Sequence, residues 1–162
     1  MAGGHGAAMI PPAAGPNRSM PGRLGMGDMM DLSKLCATWS PRLLSVLRIV
    51  VGLLFLQHAT AKFFGFPHVA MFDNLKLFSL FGLAGAIELV FGILLTAGFY
   101  TRIAAFILSG EMAVAYFMQH APRGFYPLTN GGEAAVFYCF AFLYMAAAGA
   151  GPWSVDAQRG QA

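Results

Sequence analysis

Charge is scarce in this sequence. Charged residues make up 10% of its 162 residues, against ~25% in an average soluble domain. That excludes an ordinary water-soluble globule. The net charge is +3, but the basic residues are scattered and form no Lys/Arg cluster, so the electrostatic footprint of a nucleic-acid binder is missing. Cysteine supplies only Cys36 and Cys139. They form no C-x-x-C pair, which argues against a disulfide-generating enzyme of the four-helix type. They read as two unpaired thiols packed as small hydrophobes. No E-x-x-H pair is present, which argues against a di-iron site in a helical bundle. No Gly-rich phosphate loop, Ser/His/Asp set or zinc-ligand spacing appears, and no metal site is expected.

What is present is apolar. Hydrophobic residues make up 57% of the chain, and the mean hydropathy is +0.62. Four apolar segments are each long enough to approach the ~20 residues that span a bilayer. The expectation is an all-α membrane protein, an antiparallel up-down bundle of four transmembrane helices formed by residues 40–149 as one domain.

Residues 1–39 are rich in Gly, Ala, Pro and Met. They lack the apolar core of a signal peptide and read as a disordered tail. Met20, Met26, Met29 and Met30 offer alternative starts. A first helix is expected from Arg42 to about Phe64, with Ser40 as its N-cap and Pro41 at its first position. A second runs from about Ser79 to Ala97, where Gly98 suits a left-handed stop. A third follows Thr101 and ends near His120. A fourth opens at Asn130, with Glu133 three residues on in capping-box spacing, and ends near Ala148. Residues 150–162 form a short C-terminal tail, and Trp153 stands where an interfacial aromatic belongs.

Arg18, Arg23, Lys34, Arg42, Arg102 and Arg159 fall on one side of this arrangement, and Lys62, Lys76 and Arg123 on the other. The excess of positive charge points to both termini in the cytoplasm.

Ionisable residues within membrane spans are costly, so they face the bundle and carry pairing or function. Glu88 lies nine residues before Ala97, and Glu111 nine after Arg102. At ~1.5 Å per residue both sit about 14 Å from the inner edge. Arg48 lies on the same side, and an inner cluster of Arg48, Glu88 and Glu111 is expected. An outer polar site is expected from His58, Lys62, His120 and Glu133, because His58 and Lys62 are four apart and share a helix face. The inner cluster reads either as a network that fixes helix register or as a proton relay. Glu133 reads equally as a capping residue. His58 and His120 as paired haem ligands are disfavoured, since their depths differ by a turn or more. Aromatics including Phe63, Phe64, Phe125, Tyr126 and Tyr138 gather at the outer end. They read as packing and an interface belt; a quinone ring would also suit such a rim.

The segment Arg48-Ile-Val-Val-Gly52-Leu-Leu-Phe-Leu-Gln-His58-Ala-Thr-Ala-Lys62-Phe-Phe-Gly65 resembles the first-helix signature of the DoxX family. Glu88, Gly92, Gly98 and Thr101-Arg102 look like its second-helix pattern. His120, Gly124-Phe125 and Gly132-Glu133 match its third loop, and Gly151-Pro152-Trp153-Ser154-Val155-Asp156 is similar to its closing segment. Ala59 departs from the glycine that often follows the histidine. The resemblance covers residues 40–156 and implies a four-helix protein of the bacterial inner membrane. It also implies association with membrane redox systems, including an accessory subunit of a thiosulfate- or quinone-linked oxidoreductase. Catalysis by the chain alone is not implied. The expected partners are the lipid bilayer and a redox enzyme, with homo-oligomers open. A stand-alone transporter of protons or a small solute, and a scaffold with no site, fit the same residues.

Overall fold

The computed structural model describes residues 26–161. Among these the chain is all helical, with no strand. Helix α1 spans Met26–Phe64, α2 Leu80–Ala97 and α3 Thr101–Ala115. A π-helical turn, Tyr116–His120, continues α3. The single turn α4, Pro127–Asn130, precedes α5, Glu133–Ala148, and the single turn α6 is Val155–Gln158.

Helix α1 differs from its expected form. Among the described residues it starts at Met26 and carries Pro41 in its interior, so Ser40 is not its cap and residues 26–39 are helical. An interior proline costs a helix ~3 kcal/mol or more through a lost hydrogen bond and a ring clash, so Pro41 weakens α1 locally but does not end it. The segment before it, Asp31-Leu-Ser-Lys-Leu-Cys-Ala-Thr-Trp39, holds enough helix formers to continue upstream. The 39-residue helix is about 58 Å long at ~1.5 Å per residue, well beyond a hydrocarbon core of ~30 Å. Its first turns therefore project past a bilayer. The Arg42 guanidinium lies 5.5 Å from the centre of the Trp39 ring, the kind of pair that marks a membrane edge. The rest of the expected tail, residues 1–25, lies outside the described residues.

Helix α2 keeps its expected ends. The Ser79 hydroxyl accepts from the Gly82 N–H, and Gly98 takes the left-handed conformation at φ 72°. Helix α5 begins later than expected. Its cap is Gly132, with no side-chain hydrogen bond. The Asn130 side chain instead accepts from the Gly132 N–H at 2.8 Å, and Glu133 is exposed, so no capping box forms.

Three helices are long and apolar enough to cross a membrane, and α5 is a shorter apolar helix of the same character. Helix α1 packs on α2, α2 on α3, and α3 on α5, which also touches α1. Val51, Phe55, Leu95, Ala105, Leu108, Met112, Phe142 and Met145 form the core. Phe55 and Phe142 meet edge to face at 4.9 Å between centroids. The distribution of polarity is inverted relative to a soluble domain. Arg48, Glu88, Ser109 and Asp156 are buried, while Leu53, Val90, Ile93, Phe106 and Phe140 are exposed. Apolar outer faces on helices of this length are what lipid contact requires.

Candidate functional site

The expected inner cluster does not form, because Arg48 reaches the wrong way for it. Its guanidinium is fully buried and donates only to backbone carbonyls. Nε donates to Ala150 O at 2.9 Å, Nη1 to Leu95 O at 2.6 Å and to Thr96 O, and Nη2 to Trp153 O at 2.5 Å. Leu95 and Thr96 belong to the last turn of α2, where carbonyls run short of helical partners; Leu95 O is shared with the Gly98 N–H at 3.0 Å. A cation there also meets the negative end of the helix dipole. The fork is spent on these carbonyls at the end of α2 and in the C-terminal loop, not on a carboxylate. Gly98 keeps the way clear, since a Cβ at its position would stand 2.9 Å from Arg48 Cζ.

Two further residues complete this inner clasp; the resemblance covers both, but neither was assigned to a site. Arg102 Nη1 donates to Ala146 O at 3.1 Å and Ala147 O at 2.5 Å, the end of α5. Asp156 holds the start of α3: its two carboxylate oxygens accept from the Tyr100 and Thr101 N–H groups, each at 2.9 Å. Tyr100 has φ 48°, a left-handed conformation that costs a non-glycine residue of order 1 kcal/mol, and the bond to Asp156 helps hold it. Burial alone would push the Asp156 carboxyl up. The N–H groups of Thr101 and Tyr100 and the nearby Arg159 charge hold it below the ordinary aspartate range. The available signal was the run Ser154-Val155-Asp156 after a proline, a short helix start whose acid serves a different helix.

The true charge pair lies deeper. Lys62 Nζ donates to Glu88 Oε1 at 2.6 Å, with both side chains over nine-tenths buried. Lys62 stands near the end of α1, and its chain extends inward to reach the middle of α2. Gly85 permits this approach: a Cβ there would stand 3.1 Å from Lys62 Cδ and from Phe63 Cζ. Glu111 of α3 is the third member. It lines a hollow with Lys62 and Glu88. Both of its oxygens are buried without a partner among the described residues, as is Glu88 Oε2. Glu88 and Glu111 are thus together as expected, but Lys62 takes the place assigned to Arg48.

At the outer end, His58, Lys62 and His120 line one hollow of about 380 Å³, with Phe55, Gln119, Arg123 and Tyr138. His58 lies edge-on to Tyr138 at 6.1 Å. His120 sits in the π-helical turn, a distortion that often marks a functional position. Its Nδ1 is 3.2 Å from the Asn130 carbonyl oxygen. A carbonyl only accepts, so Nδ1 carries the proton and Nε2 is left as an acceptor. Asn130 is buried and ties the loop, donating to Gly124 O at 2.8 Å. Glu133 does not join this site, because α5 turns it outward and its neighbours Ala134 and Ala135 face the hollow instead. Gln119 lies in the π turn and Arg123 in the 3-10 turn that follows it, where regular helical spacing no longer assigns a face.

No group of three or more His, Cys, Asp or Glu side chains suited to a metal ion occurs among the described residues. Cys36 and Cys139 are both free, the first exposed and the second half-buried.

Comparison with known proteins places these residues in context. The family model described as DoxX matches residues 43–121, which include Arg48, His58, Lys62, Glu88, Glu111 and His120. The chain is similar to an uncharacterized protein of Haemophilus influenzae, with 46% identity over 127 residues, 73% of this chain and 91% of that protein. No solved structure matches.

Proposed function

Because the chain belongs to the DoxX family, a group of multi-pass membrane proteins, we propose that it is an accessory subunit of a quinone-linked redox complex in the bacterial inner membrane. In this reading α1, α2, α3 and α5 cross the bilayer as an antiparallel bundle, and both termini are cytoplasmic. The observation that carries it is the outer hollow, in which His58, Lys62 and His120 converge beside Phe55 and Tyr138. The lining fits a quinone ring in chemical terms. Quinone carbonyls only accept hydrogen bonds, and Lys62, Arg123 and an N–H of His58 can donate. The O–H groups of the reduced quinol need acceptors: with Nδ1 on Asn130 O, His120 Nε2 can accept, and Glu88 Oε2 has no partner among the described residues. The aromatic rings supply an apolar wall of the kind small-molecule pockets use. A quinone supplies a two-electron, two-proton acceptor; the electrons come from the partner enzyme, and this chain orients the ring.

The test uses membranes that carry His58→Ala and His120→Ala chains. Thiol- or thiosulfate-dependent quinone reduction should fall well below wild type while the protein remains at normal abundance. Full activity in both variants would remove the outer site. A second reading, a transporter of protons or a small solute, draws support from the Lys62–Glu88 pair, which lines two hollows, with Glu111 in one of them. Equal flux in proteoliposomes of wild type and Glu111→Gln would remove it.

A further inference from the structure

The hollow between α2 and α3 is distinct in character from the outer one. It has a volume of about 330 Å³, at the low end for small-molecule sites (~300–1,000 Å³). Its walls are apolar, among them Leu83, Ala84, Ile87, Ile107 and Val114. Leu83 and Val114 are exposed on the outer faces of their helices, so the mouth faces lipid. Its polar groups are Lys62, Glu88, Glu111 and, toward the outer end, Gln119.

The hydrogen-bond inventory there is one-sided. Lys62 has given a short bond to Glu88 Oε1. Three carboxyl oxygens, Glu88 Oε2 and both of Glu111, are buried with no partner among the described residues. Glu88 is 4% exposed. Buried polar atoms are nearly always satisfied, and those that are not point to an absent occupant. What the three atoms lack is donors. Lys62 can balance only one of the two carboxyls, so the second can ionise there only with a further cation beside it.

We infer that this lateral hollow is a binding site for a lipophilic amine that enters from the bilayer between α2 and α3. A protonated primary amine supplies three N–H donors for the three free acceptors, and its positive charge is the counterpart that lets the second carboxyl ionise. Its apolar body lies against the leucine and isoleucine wall. A free amine fits better than an aminophospholipid. Glu111 is ten residues from Thr101 in the helix, about 15 Å along it, and a phospholipid's phosphate would be carried toward the same carboxylates. The site shares Lys62 and Glu88 with the histidine-lined hollow but not Glu111 or Ala84, so variants at these two residues test it apart from the quinone reading.

The experiment is equilibrium binding of radiolabelled octylamine to the full chain in phosphatidylcholine nanodiscs, whose headgroups offer no N–H. Empty nanodiscs give the background. The expected result is saturable binding above that background. Glu111→Gln weakens it about tenfold, the loss of a charge-assisted hydrogen bond. Ala84→Trp, which fills the hollow without touching a charge, abolishes it, and octanol does not compete at concentrations where unlabelled octylamine does. Three results overturn the inference: no saturable signal from folded wild-type protein, unchanged affinity in Glu111→Gln together with Ala84→Trp, or competition by octanol equal to that of octylamine.

Discussion

Replacing Arg48 tests the inner clasp directly. The side chain donates to four carbonyls, Ala150, Leu95, Thr96 and Trp153. In Arg48→Met the apolar stem is kept and all four donors are lost. The bonds to Ala150 and Leu95 are fully buried; Leu95 O keeps the Gly98 N–H at 3.0 Å, and a buried acceptor left bare, as at Ala150, costs ~1–3 kcal/mol. Relief from burying the guanidinium offsets part of this and of the other lost bonds, giving a net loss of about 3 kcal/mol. For a chain of this size, ~2–4 °C per kcal/mol converts that to a fall of roughly 6–12 °C in Tm. Arg48→Lys separates charge from shape. It keeps the positive charge at the end of α2 but cannot span acceptors on α2 and the C-terminal loop together, so about half the loss is expected. Thermal unfolding of the detergent-solubilised chain, followed by tryptophan fluorescence, reads both variants. Trp153 lies in the clasp itself. A Tm within 1 °C of wild type for Arg48→Met, or Arg48→Lys indistinguishable from wild type, would refute the reasoning.

Three further outcomes are expected. Lys62→Met leaves Glu88 buried and unpaired and should cost ~3–5 kcal/mol, while Lys62→Met with Glu88→Leu should recover most of that loss; the Tm values of both variants check it. Asp156 is held below the ordinary aspartate range when folded, so its contribution to stability is present above the unfolded value of ~3.9 and is lost as pH falls through the lower folded value. Between pH 5 and pH 3 the Tm of wild type should therefore fall more steeply than that of Asp156→Asn. Cys36 is exposed on the projecting part of α1; a membrane-impermeant maleimide should label it in inverted vesicles and spare it in intact spheroplasts, and the reverse pattern would place the N-terminus outside.

The sequence announced helices through their ends and charges through their depth, and the two kinds of signal fared differently. Ser79 and Gly98 bound α2 as local chemistry dictates, because a cap and a left-handed glycine act on their own neighbours. Pro41 misled for the same local reason. It looks like a first helical position, yet whether a proline starts a helix or interrupts one depends on what precedes it. Depth put Glu88 and Glu111 together, since both rise from nearby helix ends. It failed for Arg48 and Lys62, whose side chains are long enough to leave the level of their own Cα. Arg48 bends to backbone carbonyls that no residue pattern advertises, and Lys62 bends inward over Gly85 to Glu88. Glu133 was assigned to the outer site on sequence position, but the rotation of α5 is set by Asn130 and the loop it ties. The family was legible because its signature is spread along the chain in order, which packing does not alter.

Partnership with a redox enzyme is the claim on which the proposed function stands. The direct measurement is purification of the tagged full chain from native membranes in mild detergent, with mass spectrometry for stoichiometric partners. Co-purification of an oxidoreductase in fixed ratio, lost on changing the detergent but not on Glu111→Gln, is the expected result. Recovery of the chain alone or only with copies of itself, at full yield and in its folded state, would contradict it.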